Sequence, residues 1–242
     1  MPTLEWQEAT IIDIRNETPH TKRFIFQLEQ PFDFKPGQFV TLDLPIHEKK
    51  NKRWRSYSIA SAPDGSNVFE LIIVLLEGGA GTHYLFNEIK CGSKVTLRGP
   101  LGVFLLPETI QQDLYFICTG TGIAPFRSMV THLLKNNIPT KNLHIIFGCR
   151  HKSDILYSQE FRELEKNYPQ FKYYPCFSRE NEVAENEYKG YVHQIYKNLI
   201  QAGNPDGTMF YLCGWKNMID DARQQLKDLG IDKKNIHFEL YG

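Results

Sequence analysis

The sequence predicts two domains in series: a small antiparallel β-barrel, then an α/β domain built on a doubly wound parallel sheet. Three observations carry that reading. The chain has 242 residues, room for two domains of about 100–150 residues each. Its amino-terminal part is a string of short strand-like runs separated by turn residues. Beyond Asp113, strand-like and helix-like runs alternate, the pattern of parallel strands joined by crossover helices.

The strand runs of the first part are "KRFIFQL", "GQFVTLDL", "RSYSIAS", "NVFELIIVLL" and "SKVTLRG". Each is short and rich in β-branched and aromatic residues, and Pro-Gly, Asp-Gly and Cys-Gly-Ser breaks lie between them. Many short strands closing on themselves suggest a small barrel. Pro107 and its polar neighbours in "LPETIQQD" mark the seam, so the domains are expected at 1–108 and 109–242. In the second, "LYFICTG" precedes a helix over Ala124–Lys135, and "LHIIFGC" precedes one near Ser158–Asn167. "KYYPCFS" precedes a helix near Val192–Gln201, "TMFYLCG" precedes one over Met218–Leu229, and "IHFELYG" ends the chain. No internal repeat or low-complexity tract interrupts the series.

Composition narrows the function classes. Hydrophobic residues make up 41% of the chain, enough for two cores, and 28 basic residues balance 28 acidic ones. A neutral chain argues against nucleic-acid binding, which draws on excess Lys and Arg. Glu5 and Glu8 fall where a signal peptide would need an apolar stretch. The longest aliphatic run, Leu71 to Leu76, is far short of a membrane span. The five cysteines are widely spread, with no Cys-x-x-Cys pair, so no metal site is expected. A reducing cytoplasm is the expected compartment, and a monomer the expected state.

In an open parallel sheet, ligands bind beyond the carboxyl ends of the strands. Those ends here are "TGTGIAP", "GCR", "FSRE" and "CGW". Gly120-Thr121-Gly122, after Thr119, follows a strand and opens a helix with Pro125 in its first turn. Such a turn lets a phosphate approach the backbone at a helix N-terminus. Alone it fits a plain strand-to-helix turn as well. The third glycine of the common dinucleotide fingerprint is absent, and Cys149-Arg150 stands where a ribose-binding acid is usual; an arginine tolerates phosphate there instead.

"RSYSIAS", residues 55–61, puts a cation, a phenol and three hydroxyls on one strand. Arg55 offers a donor fork for a pyrophosphate and Tyr57 a face for a flat ring; alternation puts Ser58 on the opposite pleat face, and a distorted strand would turn its hydroxyl to the ring edge. Together they suit a flavin cradle; a strand with a surface arginine fits the segment alone.

In order and over essentially the whole chain, six segments resemble the plant-type ferredoxin–NADP(+) reductase superfamily. "RSYSIAS" resembles its flavin strand, "GGAGTHYL" (78–85) its second flavin loop, and "RGPLGVF" its Gly-Pro-x-Gly segment. "GTGIAPFRS" resembles its dinucleotide turn, "YLCGWKNM" its Cys-Gly segment, and "HFELYG" its carboxyl end. The resemblance implies that FAD is held by Arg55, Tyr57, Ser58, Gly79, Gly81 and Thr82. It implies an NAD(P) site at Thr119, Gly120, Thr121, Gly122, Pro125, Arg150, Cys213 and Gly214. The implied reaction is hydride transfer from reduced nicotinamide to flavin N5, then release of electrons to an acceptor. Ser58 is then the partner of N5, Cys213 touches the nicotinamide without covalent bonding, and Glu239 orders the network around them. Tyr241 is implied to stack on the flavin where nicotinamide must enter, although Gly242 follows it, unlike members that end on the aromatic.

Ser178, Arg179, Lys189 and Tyr191 match the family's 2′-phosphate grip in order. Lys189 and Tyr191 are expected at the start of a helix, and NADPH is expected over NADH, with NADH use left open. The implied acceptor is a separate ferredoxin or flavodoxin. Alternatives are the NADH-dependent reductase component of a multicomponent oxygenase, a free-flavin reductase, and a nucleotide-binding electron-transfer or sensor subunit. Lys49, Lys50, Lys52 and Arg53 form a basic run that suits an acidic partner or a solvated loop.

Overall fold

A computed structural model of the chain describes residues 5–202, with the backbone alone at Ala202, and residues 207–241. The first four residues of the N-terminal reading, and Gly242, lie outside the described residues. The chain divides into two compact units: residues 1–106 with 127–132, and residues 107–126 with 133–242. Among the described residues no helix is long and apolar enough to cross a membrane.

The first unit is a six-stranded antiparallel sheet. Its strands are β1 (Gln7–Thr18), β2 (Thr21–Gln27), β3 (Phe39–Asp43), β4 (Trp54–Ser58), β5 (Val68–Val74) and β6 (Lys94–Leu101), in the order β4-β3-β6-β1-β2-β5. The two outer strands meet through an Ile59–Leu71 bridge, and Ala60 N–H donates to the Glu70 carbonyl at 2.8 Å. That contact closes the sheet into the expected barrel. Phe24, Phe26, Val40, Leu42, Phe69 and Leu71 fill the interior, with Phe26 and Phe69 stacked at 5.1 Å. A helix, α1 (Ala80–Asn87), follows β5 and sends Leu85 into the same core. Residues 127–132 pack with this unit, where Arg127 Nη1 donates to Ala60 O at 2.9 Å and lies 3.1 Å from the buried Glu70 carboxylate.

β1 is absent from the strand runs the sequence suggests. Its residues 13–17, Asp-Ile-Arg-Asn-Glu, interrupt the apolar alternation. Pairing to β2 on one side and β6 on the other holds it extended, with a register shift between Ile11 and Asp13. Long-range pairing thus overrides weak local propensity.

The second unit is a parallel sheet. Its strands are β7 (Leu114–Thr119), β8 (Leu143–Cys149), β9 (Phe171–Phe177), β10 (Tyr188–Lys189), β11 (Met209–Trp215) and β12 (Ile236–Tyr241), in the order β10-β9-β8-β7-β11-β12. The connecting helices are α2 (Ile123–Lys135), α3 (Ser158–Asn167), α4 (Val192–Ala202) and α5 (Lys216–Asp228). Ile117, Ile146, Phe210 and Leu212 pack against Ile195 and Tyr196 of α4 and Ile219 and Ala222 of α5. Lys189 belongs to the edge strand β10, beside Phe177, and α4 begins at Val192. The expected helical start at Lys189 is therefore corrected: Gly190, at φ +108°, separates the strand from the helix.

On β7 and β8, Tyr115 stacks on His144 at 4.4 Å, and His144 Nδ1 lies 3.2 Å from the Tyr174 hydroxyl. Burial pulls the His144 imidazole down from 6.5 to about 4, against the opposing charge of Asp113. The unfolded chain therefore binds a proton between those values that the folded chain refuses. Stability present above pH 6.5 should be lost as the pH falls toward 4, by up to about 3 kcal/mol from this group. Urea unfolding at pH 7 and at pH 4.5 should show the loss, and His144→Gln should reduce its pH dependence.

Candidate functional site

The order of the parallel sheet creates a switch point. From β7 the chain moves outward to β8 and β9, then returns to place β11 on the other side of β7. A crevice opens beyond the carboxyl ends at such a reversal. Thr119, Gly120, Thr121 and Gly122 line one side of it, and Cys213, Gly214 and Trp215 the other.

These backbones approach too closely for side chains. A Cβ on Gly122 would lie 2.3 Å from the Cys213 carbonyl oxygen. A Cβ on Gly214, at φ +138°, would lie 2.4 Å from Thr119 Oγ1. On the other flank, a Cβ on Gly148 would come within 3.2 Å of Thr119 Cγ2. The Thr119 side chain thus fills a slot left by two glycines, and its hydroxyl accepts the Trp215 N–H at 3.3 Å. Gly120 takes φ +53°, a left-handed conformation that favours glycine. Pro125 is buried in the first turn of α2. The sequence reading missed Gly148, which its place inside a strand run could have flagged.

Cys213 lies beside Cys118 on β7 and beside Glu239 on β12. Burial pushes its thiol well above the ordinary range, the Glu239 charge adds to that, and a hydrogen bond from Tyr241 partly offsets it. Parallel register thereby gathers Cys213, Glu239 and Tyr241. The thiol is neutral, so it suits packing against a ring and not nucleophilic attack.

The loops after β8 and β9 are zipped together. Ser178 N–H donates to Cys149 O, and Arg179 N–H to Arg150 O, each at 3.0 Å. β10 then brings Lys189 to the same end, where its Nζ donates to Asn181 O at 3.4 Å. Tyr191 is 72% exposed, open to stack on a ligand. Two of the four neighbouring acids are engaged elsewhere: Glu180 accepts the Lys152 N–H at 2.9 Å, and Glu187 pairs with Lys152 Nζ at 2.7 Å, while Glu182 and Glu185 are exposed. Among the described residues, Arg150, Arg179 and Lys189 have no carboxylate partner. This leaves an exposed cationic end suited to a phosphate.

In the first unit, Arg55 and Tyr57 share β4. Arg55 Nη1 donates to the carbonyls of Lys52 at 3.0 Å and Trp54 at 2.8 Å. Of the segment expected as a loop at 78–85, Gly78 and Gly79 stay outside the helix and residues 80–85 begin α1, whose N-terminus lies against Arg55. A Cβ on Gly81 would stand 2.9 Å from Arg55 Cγ. A helix leaves its first N–H groups without intrahelical partners, and Gly79 supplies no side-chain cap. Guanidinium, N-terminal N–H groups and a bare glycine together fit a pyrophosphate. The Thr82 hydroxyl is already used: it accepts Leu76 N–H at 3.1 Å and donates to Gly79 O at 3.0 Å. Tyr57 packs against the core, and burial raises its hydroxyl to about 12 against the lowering charge of Arg55. Ser58, Ile59 and Ala60 are buried in succession, so the alternation fails at Ser58 where the barrel closes. Of the basic run, Arg53 is tied to Asp43 at 2.7 Å, while Lys49, Lys50 and Lys52 are exposed.

Comparison with known proteins identifies the two units. Residues 8–105 match the oxidoreductase FAD-binding domain, and residues 116–224 the oxidoreductase NAD-binding domain. The chain is 32% identical over 241 residues to ferredoxin--NADP reductase B of Sorangium cellulosum, covering 97% of each. It is 32% identical over 234 residues to the reductase component of phenol 2-monooxygenase from Pseudomonas sp., covering 96% of this chain and 64% of that protein. A ferredoxin NADP+ reductase structure from Neisseria gonorrhoeae, with bound FAD and NADP, superposes with a TM-score of 0.82 at 26% identity, over 97% of this chain and 98% of that one. The fold and its two sites define a flavin- and pyridine-nucleotide-binding oxidoreductase. The chain belongs to the ferredoxin–NADP reductase family.

Gly122→Ala should force the β7 turn away from β11, because both groups that collide are backbone. We expect a loss of about 1–3 kcal/mol in stability together with weaker dinucleotide binding, measured by urea unfolding and calorimetric titration of NADP+.

Proposed function

We propose that this protein carries electrons from NADPH, through FAD, to a separate ferredoxin- or flavodoxin-type acceptor. FAD, when bound, supplies the exchange between two-electron and one-electron chemistry. Residues 1–108 form its binding domain, and residues 109–242 bind the dinucleotide. Arg55 and the α1 N-terminus with Gly79, Gly81 and Thr82 hold the flavin pyrophosphate, Tyr57 packs on the ring, and Ser58 serves its N5 edge. Thr119, Gly120, Thr121, Gly122, Pro125 and Gly214 hold the dinucleotide. Cys213 and Glu239 align the nicotinamide, and Tyr241 takes its place on the flavin when the coenzyme is absent.

The observation that carries the reading is the pairing of two glycine-lined helix N-termini in one chain, Gly79 and Gly81 beside Arg55 at α1 and the Gly120–Gly122 turn before α2. The Arg55 cradle favours a tightly held flavin over a flavin used as free substrate. All five cysteines are free, which supports a reducing, cytoplasmic compartment. A second reading, the reductase component of an oxygenase, is favoured by the phenol 2-monooxygenase relative.

The direct experiment is isolation of the protein and anaerobic addition of NADPH. A yellow protein that bleaches and then reduces an added ferredoxin or flavodoxin supports the proposal; a colourless protein, or one that NADPH does not bleach, removes it. Reduction of an oxygenase component in place of those carriers would select the second reading.

Arg55→Ala should weaken FAD binding about ten- to a hundredfold, the effect of losing one charge-assisted contact. Titration of the apoprotein with FAD measures it, and unchanged affinity would take Arg55 out of the site.

Coenzyme choice tests the exposed cations. The wild type should prefer NADPH in kcat/KM, and Arg179→Ala with Lys189→Ala should remove most of that preference by impairing NADPH alone. A wild-type preference for NADH would overturn the assignment. Equal loss with both coenzymes would mean that the two residues support the loop.

A further inference from the structure

Trp215 is 57% exposed, at the junction of β11 and α5, and the proposed function gives it no role. Gly214 just before it takes φ +138°, while β11 stays paired with β12 through Trp215. The Trp215 backbone N–H is held by Thr119 Oγ1 at 3.3 Å, which fixes the residue against the turn that follows β7. Its indole nitrogen lies 3.9 Å from where a Cβ on Gly120 would stand. The polar end of the ring, not its apolar edge, therefore meets the turn. That turn receives no hydrogen bond from a capping side chain at Thr119, and Gly120 presents no side chain to separate the indole from whatever sits there. An indole N–H donates only, so a ligand seated on this turn would meet it with an acceptor, which a phosphate oxygen supplies.

We propose that Trp215 is a coenzyme-binding residue that donates its indole N–H to a phosphate oxygen of the dinucleotide pyrophosphate on the Gly120–Gly122 turn. The proposal rests on the reading of this crevice as a dinucleotide site and adds a side-chain donor from β11 to backbone donors from the β7 turn. Placing donors on both strands holds the pyrophosphate across the switch point, with the reactive end of the coenzyme directed toward Cys213, two residues before Trp215.

The test is Trp215→Phe, which keeps an aromatic ring and removes the N–H. Calorimetry is run with NADP+ or NAD+, whichever the wild type binds more tightly, alongside thermal unfolding of the protein without dinucleotide. The variant should bind about three- to tenfold more weakly, the loss of one charge-assisted hydrogen bond at an exposed position, with its unfolding midpoint unchanged. Wild-type affinity in the variant overturns the proposal. Weaker binding with a lowered midpoint also overturns it, because the ring would then be supporting the turn. A wild type that binds neither dinucleotide removes the dinucleotide reading itself, and this proposal with it.

Discussion

The organising constraint is the close approach of two backbones at the switch point of the parallel sheet. Gly122 rests on the Cys213 carbonyl, and Gly214 rests on the side chain of Thr119. A Cβ at Gly122 would force a main chain to move, and one at Gly214 would displace the Thr119 side chain at a φ of +138° that favours glycine. This contact sets the distance from the end of β7 to the end of β11, and so the width of the crevice. It also fixes where Cys213 sits, and through register it brings Glu239 and Tyr241 beside that thiol. Burial keeps the thiol protonated, so the site offers a small soft contact and not a nucleophile.

The other unit solves a similar problem with different parts. A parallel sheet delivers helix N-termini to one edge as a consequence of its topology. An antiparallel barrel has no such edge, so its helix end comes from α1, inserted after β5. Gly81 lets that helix settle on the stem of Arg55, combining a full positive charge with N–H donors. Thr82 holds the loop in shape by taking Leu76 N–H and returning a hydrogen bond to Gly79 O. What the structure shows for Thr82 is therefore the shape of the loop.

Charge is arranged locally in a chain that is neutral overall. Glu180 and Glu187 lie in the same segment as Arg179 and Lys189 and would cancel them if they paired. Lys152 takes up both acids instead, through its backbone N–H and its ammonium group. Arg179 and Lys189 are left exposed at the carboxyl end of the sheet, a selection that counting charges in the segment does not reveal.

The sequence by itself determined the two-domain order and the strand-helix alternation, and it named most of the residues that the fold brings together beside Arg55 and at the β7–β11 turn. Those signals are local: β-branched runs, turn glycines, and motifs whose spacing survives in one dimension. The tertiary structure alone decided several others. β1 became a strand because two neighbours pair with it, despite the charged stretch at 13–17. Residues 80–87 became a helix because Leu85 finds a place in the barrel core. Lys189 joined a strand because β9 offered an open edge. Gly148 and Trp215 acquired meaning only beside Thr119 and Gly120, which lie far away in the chain. Such features depend on which surfaces meet, and a pattern read along one strand carries no record of the strand that lies against it.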